Sequence, residues 1–253
     1  LTHMHRLFLM SIALCLSVAA YAGNVRLVKH GAATQLTVDG KPFIIIGGEL
    51  GNSSASSEAD IKRIFPKLKR MNLNTVLVPV YWDMIEPSEL QYDFSLVDAA
   101  IDEARKNNLK IVFLWFGAWK NSMSCYAPEW FKKDYRKYPR ARTAAGKPLE
   151  IASAFSENVY KADSRAFTRW LKHVANRDTD GTVLMIQIEN EIGMLESPRD
   201  YSPAAQTAYD KGVPTALIDH LKKHKTSLHP QLAARWRDNG MKTSGSWHDV
   251  FGE

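Results

Sequence analysis

Cysteine is scarce: Cys15 and Cys125 are the only two in 253 residues. Cys15 falls in a segment expected to be removed, and one remaining thiol cannot form an internal disulfide, so the fold has to rest on its apolar core. Long hydrophobic runs are missing too. The stretch from Leu7 to Ala19 is the longest, short of the roughly 20 residues that a membrane-crossing helix needs. Neither Gly-x-Gly-x-x-Gly after a strand nor Gly-Lys-Ser/Thr occurs, and Gly47-Gly48 is too little to replace them, so nucleotide binding has no support. His173, His220, His224, His229 and His248 lack ligand spacing. His220 and His224 stand one helical turn apart without a third ligand, and no metal or other cofactor is expected. The formal charge of +6 is spread out, with basic clusters confined to 136–142 and 222–225. These read as solvated faces, and no nucleic-acid partner is expected.

What is present begins with a basic head, Met4-His5-Arg6, followed by the apolar run and by Ala20-Tyr21-Ala22. That order marks a cleavable signal peptide over residues 1–22, with cleavage after Ala22. Leu1-Thr2-His3 precede the expected initiator Met4, as in a raw translated reading frame. The mature chain, 23–253, is expected to be secreted or periplasmic, with no membrane association after cleavage. With 45% hydrophobic residues it suits a globular fold. Nothing in it speaks to oligomeric state.

Strand and helix patterns then alternate. Val25 to Lys29 and Ala33 to Val38 are β-prone, and Asp39-Gly40 is a tight-turn signal, together predicting a short hairpin. Phe43 to Leu50 reads as a fully buried strand closing on Glu49, and Ser57-Glu58 opens a helix with Ile61, Ile64, Phe65, Leu68 and Met71 at helical spacing. Asn74 to Val80 is a second buried strand, Phe94 to Asn107 a helix, and Lys110 to Phe116 a third strand. A loop, irregular to about Tyr160, precedes a helix over Asp163 to Ala175 and a fourth strand over Thr182 to Ile188. Helical segments at 204–209, 213–225 and 231–238 follow. Apolar strands alternating with amphipathic helices predict a parallel α/β sheet. Without a dinucleotide signature, the choice falls on a (β/α)8 TIM barrel, of which about the first four βα units are present, preceded by the hairpin.

Each strand ends in groups that a buried core does not need: Glu49, Tyr81-Trp82, Trp119-Lys120-Asn121 and Glu189-Asn190-Glu191. In parallel architectures that edge carries the chemistry. Period-two alternation predicts Met185, Gln187, Glu189 and Glu191 on one side, with Gln187 and Glu189 supporting a carboxyl at the rim. A carboxyl acid that donates a proton to a leaving oxygen needs a partner carboxylate, as nucleophile or base. After Glu191 the sequence has only Glu196 and Glu253, neither ending an apolar strand, and Glu49 and Glu86 come before it and read as supports, so the second carboxylate is absent from this sequence.

Val80-Tyr81-Trp82-Asp83-Met84-Ile85-Glu86-Pro87, the later Tyr92-Asp93-Phe94, and Gln187-Ile188-Glu189-Asn190-Glu191-Ile192-Gly193 resemble glycoside hydrolase family 35, the retaining β-galactosidases. The resemblance covers about Val38 to Gly193. It implies Glu191 as acid/base, Asn190 as a ligand of the sugar 2-hydroxyl, a nucleophilic glutamate on the seventh barrel strand, and a carbohydrate substrate. Lys120-Asn121 stands where many members carry Ala-Glu, a form that resembles a bacterial branch of the family. Tyr81, Trp119, Lys120, Asn121 and Glu49 join Asn190 as candidate substrate contacts, since indole and phenol rings pack on the C–H face of a sugar. The sequence thus predicts an exo-β-galactosidase fragment, inactive alone and with exposed sheet edges. The competing expectations are a glycosidase of the same clan acting on β-glucosides, β-mannosides or β-glucosaminides, and a non-catalytic carbohydrate-binding protein if the chain truly ends at Glu253.

Overall fold

The computed structural model describes residues 25–193 and 197–252. The expected leader, Glu196 and Glu253 lie outside the described residues. The chain divides into two compact units, one holding residues up to 78, 95–113 and 172–186, the other 79–94, 114–171 and 187 onward.

In the first unit, β1 (Val25–His30) and β2 (Ala33–Val38) pair antiparallel, and β3 (Lys41–Pro42) returns along β2. Asp39 and Gly40 turn the chain with φ of 52° and 74°, the left-handed pair that an Asp-Gly hairpin turn demands. Strand β4 is shorter than its apolar run suggests, only Gly47–Glu49. Ile44, Ile45 and Ile46 are exposed, Ile44 at 78%, which corrects the expectation of a fully buried strand over Phe43 to Leu50. The lead-in is held by a side chain: Asn74 Nδ2 donates to Ile44 O, and Asn74 Oδ1 accepts from Ile46 N–H at 2.9 Å. One amide thus occupies the backbone groups that a neighbouring strand would otherwise pair.

Helix α1 (Glu58–Arg70) starts at Ser57, whose hydroxyl accepts from Asp60 N–H, and buries Ile61 and Phe65. β5 (Thr75–Tyr81) is buried almost throughout. It leads through α2 (Trp82–Ile85) to α3 (Ser95–Lys106), which buries Val97, Ala100, Ile101 and Ala104. β6 (Lys110–Phe116) occupies the predicted span, and its apolar side chains from Ile111 onward are buried.

The second unit corrects the expected irregular loop. It contains α4 (Glu129–Lys133) and the antiparallel hairpin of β7 (Arg140–Arg142) and β8 (Pro148–Ala152). Ala141, Leu149 and Ile151 form a small core against which Trp119 packs. Helix α5 (Glu157–Arg177) begins before the predicted Asp163 and leads to β9 (Val183–Gln187). Beyond it, α6 (Pro203–Asp210), α7 (Thr215–Lys223), α8 (Pro230–Asp238) and α9 (Trp247–Phe251) follow, the last three sharing Ile218, Leu221, Trp236 and Val250. α9 was not predicted, although Ser246 and Asp249 make a reciprocal cap that the Ser-x-x-Asp pattern signals.

The main sheet runs β4-β5-β6-β9, with β4 parallel to β5. Strand order follows chain order without the reversal that defines a doubly wound sheet. Four such units with helical crossovers form a partial (β/α)8 barrel.

β9 is entered through Asp178, whose side chain is 7% exposed. Its oxygens accept from Thr182 N–H at 2.9 Å and Val183 N–H at 2.8 Å, and Arg105 Nη2 donates at 3.2 Å. Asp178→Ala strips two amides of their acceptor and removes one of several acceptors of the Arg105 guanidinium, and should lower unfolding free energy by about 1–3 kcal/mol. Urea denaturation checks this; an unchanged midpoint contradicts it.

Candidate active site

The ladder of β9 stops at Gln187, so alternation does not carry Glu189 and Glu191 to one side in tandem as predicted. Both residues take left-handed backbone conformations, with φ of 58° and 52°, uncommon outside glycine. Gln187 Nε2 donates back to Glu189 O at 2.9 Å, and Gly193 N–H to Glu191 O at 2.8 Å. The two carboxyls leave this turn into different surroundings.

Glu191 is open to solvent, its side chain 64% exposed, with Lys120 Nζ 3.8 Å from Oε2. Lys120 is itself buried. Its ammonium donates to Asn121 Oδ1 at 2.5 Å and lies 4.8 Å from the centre of the Phe116 ring. Asn190 pairs across from Lys120 in a parallel bridge. Its Oδ1 is buried and accepts no hydrogen bond among the described residues. The structure therefore gathers Glu191, Asn190, Lys120 and Asn121 at the ends of two barrel strands. Trp119 is half-buried beside them, and its carbonyl accepts from Asn190 N–H at 3.4 Å.

Glu189 turns instead toward α5. Its Oε2 accepts from Trp119 N–H at 3.1 Å, and the carboxyl of Asp163 is its acidic neighbour. Asp163 in turn accepts from Trp115 Nε1 at 2.8 Å and from Ala118 N–H at 2.9 Å. Both acids line an apolar cavity of about 420 Å³ with Trp115, Trp119, Phe167 and Ile188 among its walls. Burial first, and the neighbouring Asp163 second, push the Glu189 carboxyl far above the usual carboxylate range, and the Trp119 N–H opposes them only partly. Sequence reasoning missed Asp163. The available signal was its place on the apolar stripe of α5, in step with Val159, Ala162, Ala166 and Trp170, all buried.

The remaining candidates have surroundings of their own. Tyr81 is buried, stacked on Tyr126 with centroids 5.2 Å apart and edge-on to Phe116. Trp82 is core, donating from Nε1 to Glu86 Oε2 at 2.9 Å. Glu86 is fully buried and also accepts from Leu90 N–H and from Arg165 Nη2 at 3.0 Å, which makes it a structural support of the loop after β5. Glu49 closes β4 in the first unit, exposed.

A sign follows for stability. Glu189 keeps its proton when folded and loses it near the ordinary 4.5 when unfolded. The folded chain then binds the extra proton, and this group's contribution to stability falls as pH rises above that value. Glu189→Gln removes the titration while keeping one donor and one acceptor. Denaturation of both proteins between about pH 5 and about pH 9 should show the difference moving steadily in favour of the variant. Parallel pH dependences would contradict the assignment.

Comparison with known proteins adds to this geometry. Residues 52–239 match the family model of glycoside hydrolase family 42, described as beta-galactosidase, where the motifs suggested family 35. A beta-galactosidase of Xanthomonas manihotis is 25% identical over 219 residues, covering 83% of this chain and 34% of its own length. The chain therefore spans about a third of that curated relative. The crystal structure of a beta-galactosidase from the psychrophilic Marinomonas ef1 is similar with a TM-score of 0.54 at 16% identity, over 71% of this chain and 25% of that one. An endo-1,4-beta-mannanase from Rhizomucor miehei reaches a TM-score of 0.46 at 19% identity, over 79% of this chain and 57% of its own. The Marinomonas likeness agrees with the partial barrel. With the family model matched along most of its length, the chain belongs to the family 42 glycoside hydrolases, the β-galactosidases.

Proposed function

We propose that this chain carries the acid/base half of a retaining exo-β-galactosidase that is exported by the leader at residues 1–22. The observation behind the reading is the Asn190-Glu191 pair at the end of the fourth barrel strand, where an exposed carboxyl adjoins a buried amide oxygen that accepts no hydrogen bond among the described residues. A sugar hydroxyl suits that oxygen as donor. Lys120 and Asn121 offer further polar contacts, and Trp119 an apolar face.

In this reading Glu191 gives its proton to the glycosidic oxygen as the C1–O bond breaks, while a carboxylate about 5 Å away attacks C1 from the opposite face. Glu191, now a carboxylate, takes a proton from water. The hydroxide equivalent attacks C1, frees the sugar and restores the nucleophile. Among the described residues no strand of the sheet follows β9, and we place the nucleophile on a strand outside these 253 residues.

Two measurements test the reading. The 253-residue chain should not turn over aryl β-galactosides, and robust turnover would contradict the external nucleophile. In a chain that carries the later strands, Glu191→Gln should slow hydrolysis of galactosides with poor leaving groups by about 10²–10⁴-fold. Wild-type rates there would sink the acid/base assignment.

A further inference from the structure

We propose that Glu189 and Asp163 are positioning residues for Asn190 and Glu191: a carboxyl–carboxylate pair that shares one proton and fastens the end of β9 to the end of β6. The functional consequence rests on the reading of Glu191 as the acid, whereas the fastening itself does not.

Left-handed backbone at two glutamates so close together persists only where the surroundings over-determine it. β9 supplies little, because its ladder ends at Gln187. The restraints come from the side chain of Glu189, bound to Trp119 N–H and to Asp163, and from the Asn190 N–H to Trp119 O. Asn190 and Glu191 inherit their placement from these bonds. Removing them leaves two contacts to the chain after β6, Ser122 Oγ to Gly193 O and Lys120 Nζ 3.8 Å from Glu191 Oε2, which hold the far side of the turn and not its start, while the Gln187–Glu189 and Gly193–Glu191 contacts lie within the segment.

Hydrogen-bond accounting locates the proton. Each oxygen of Asp163 accepts an N–H, from the Trp115 indole and from Ala118, which suits an ionised carboxylate. Oε2 of Glu189 accepts from Trp119 N–H, and a proton on the same carboxyl would give it a donor for the neighbouring Asp163. One proton and one negative charge thus satisfy both groups, where two anions in contact inside an apolar wall would repel. The charge acting on Glu189 is that of Asp163, while the Lys120 ammonium faces Asn121 and Glu191.

Gly117 shows how closely the site is built. A Cβ there would lie 2.7 and 2.8 Å from the two Asp163 oxygens and 2.3 Å from Trp115 Nε1. The carboxylate can reach the chain after β6 because that residue has no side chain.

Hydrogen–deuterium exchange of the full 253-residue chain, read by mass spectrometry over 184–193, tests the fastening, with circular dichroism as the check on folding. Glu189→Gln retains a donor for Asp163 and an acceptor for Trp119 N–H, and is expected to protect the segment as wild type does at neutral pH. It should keep that protection at alkaline pH, where wild type loses more of its own. Glu189→Ala should exchange about tenfold faster or more, because it loses both bonds. If Glu189→Ala fails to fold, the comparison of wild type with Glu189→Gln still decides. Exchange in Glu189→Gln faster than in wild type, an identical alkaline loss in both, or full protection in a folded Glu189→Ala would each overturn the proposal. Glu191→Gln should leave exchange unchanged, so failure of the acid assignment would be seen in hydrolysis and not here.

Discussion

One proton held between Glu189 and Asp163 is the constraint on which the geometry of the strand-end site depends. Sheet hydrogen bonds carry β9 only to Gln187, yet the residues proposed for chemistry come three and four positions later. Backbone pairing reaches them only through the Asn190–Lys120 bridge and the 3.4 Å bond of Asn190 N–H to Trp119 O. The side-chain pair adds a second hold, because a neutral carboxyl is both donor and acceptor and so bridges Asp163 to the Trp119 amide. β9 is therefore secured by acids at both ends, Asp178 at its start and Glu189 at its finish, with the first paired to Arg105 and the second kept neutral.

Three glutamates in the segments that follow β5 and β9 show how environment divides roles among identical side chains. Glu86 is buried but meets a guanidinium, an indole N–H and a backbone N–H, and serves as an anchor for the loop after β5. Glu189 is buried against another acid and holds a proton that does not leave readily. Glu191 stands in solvent beside an ammonium, the surroundings that suit the proposed general acid.

Much of this was readable from residues alone where a local rule has one outcome. Asp39-Gly40 gave its turn and the run Lys110 to Phe116 its strand. What escaped depended on distant partners. Ile44 to Ile46 look like core, but they lead into a strand at the end of the sheet order, paired on one side only, and are exposed. Alternation fails past Gln187 because the backbone turns left-handed at Glu189 and Glu191, and no pattern of apolar residues encodes that. Asp163 was taken for the start of a helix that in fact begins at Glu157. A charged residue in register with Val159, Ala166 and Trp170 was the clue to a buried partner.

The proton itself can be observed. A neutral carboxylic acid absorbs infrared light at a C=O stretch well separated from that of a carboxylate, and a difference spectrum of wild type minus Glu189→Gln at pH 7–8 isolates the group. The account predicts a positive neutral-acid band that persists in Glu191→Gln. A spectrum showing only a lost carboxylate would mean that Glu189 is ionised in the folded chain, and the shared-proton account would be wrong.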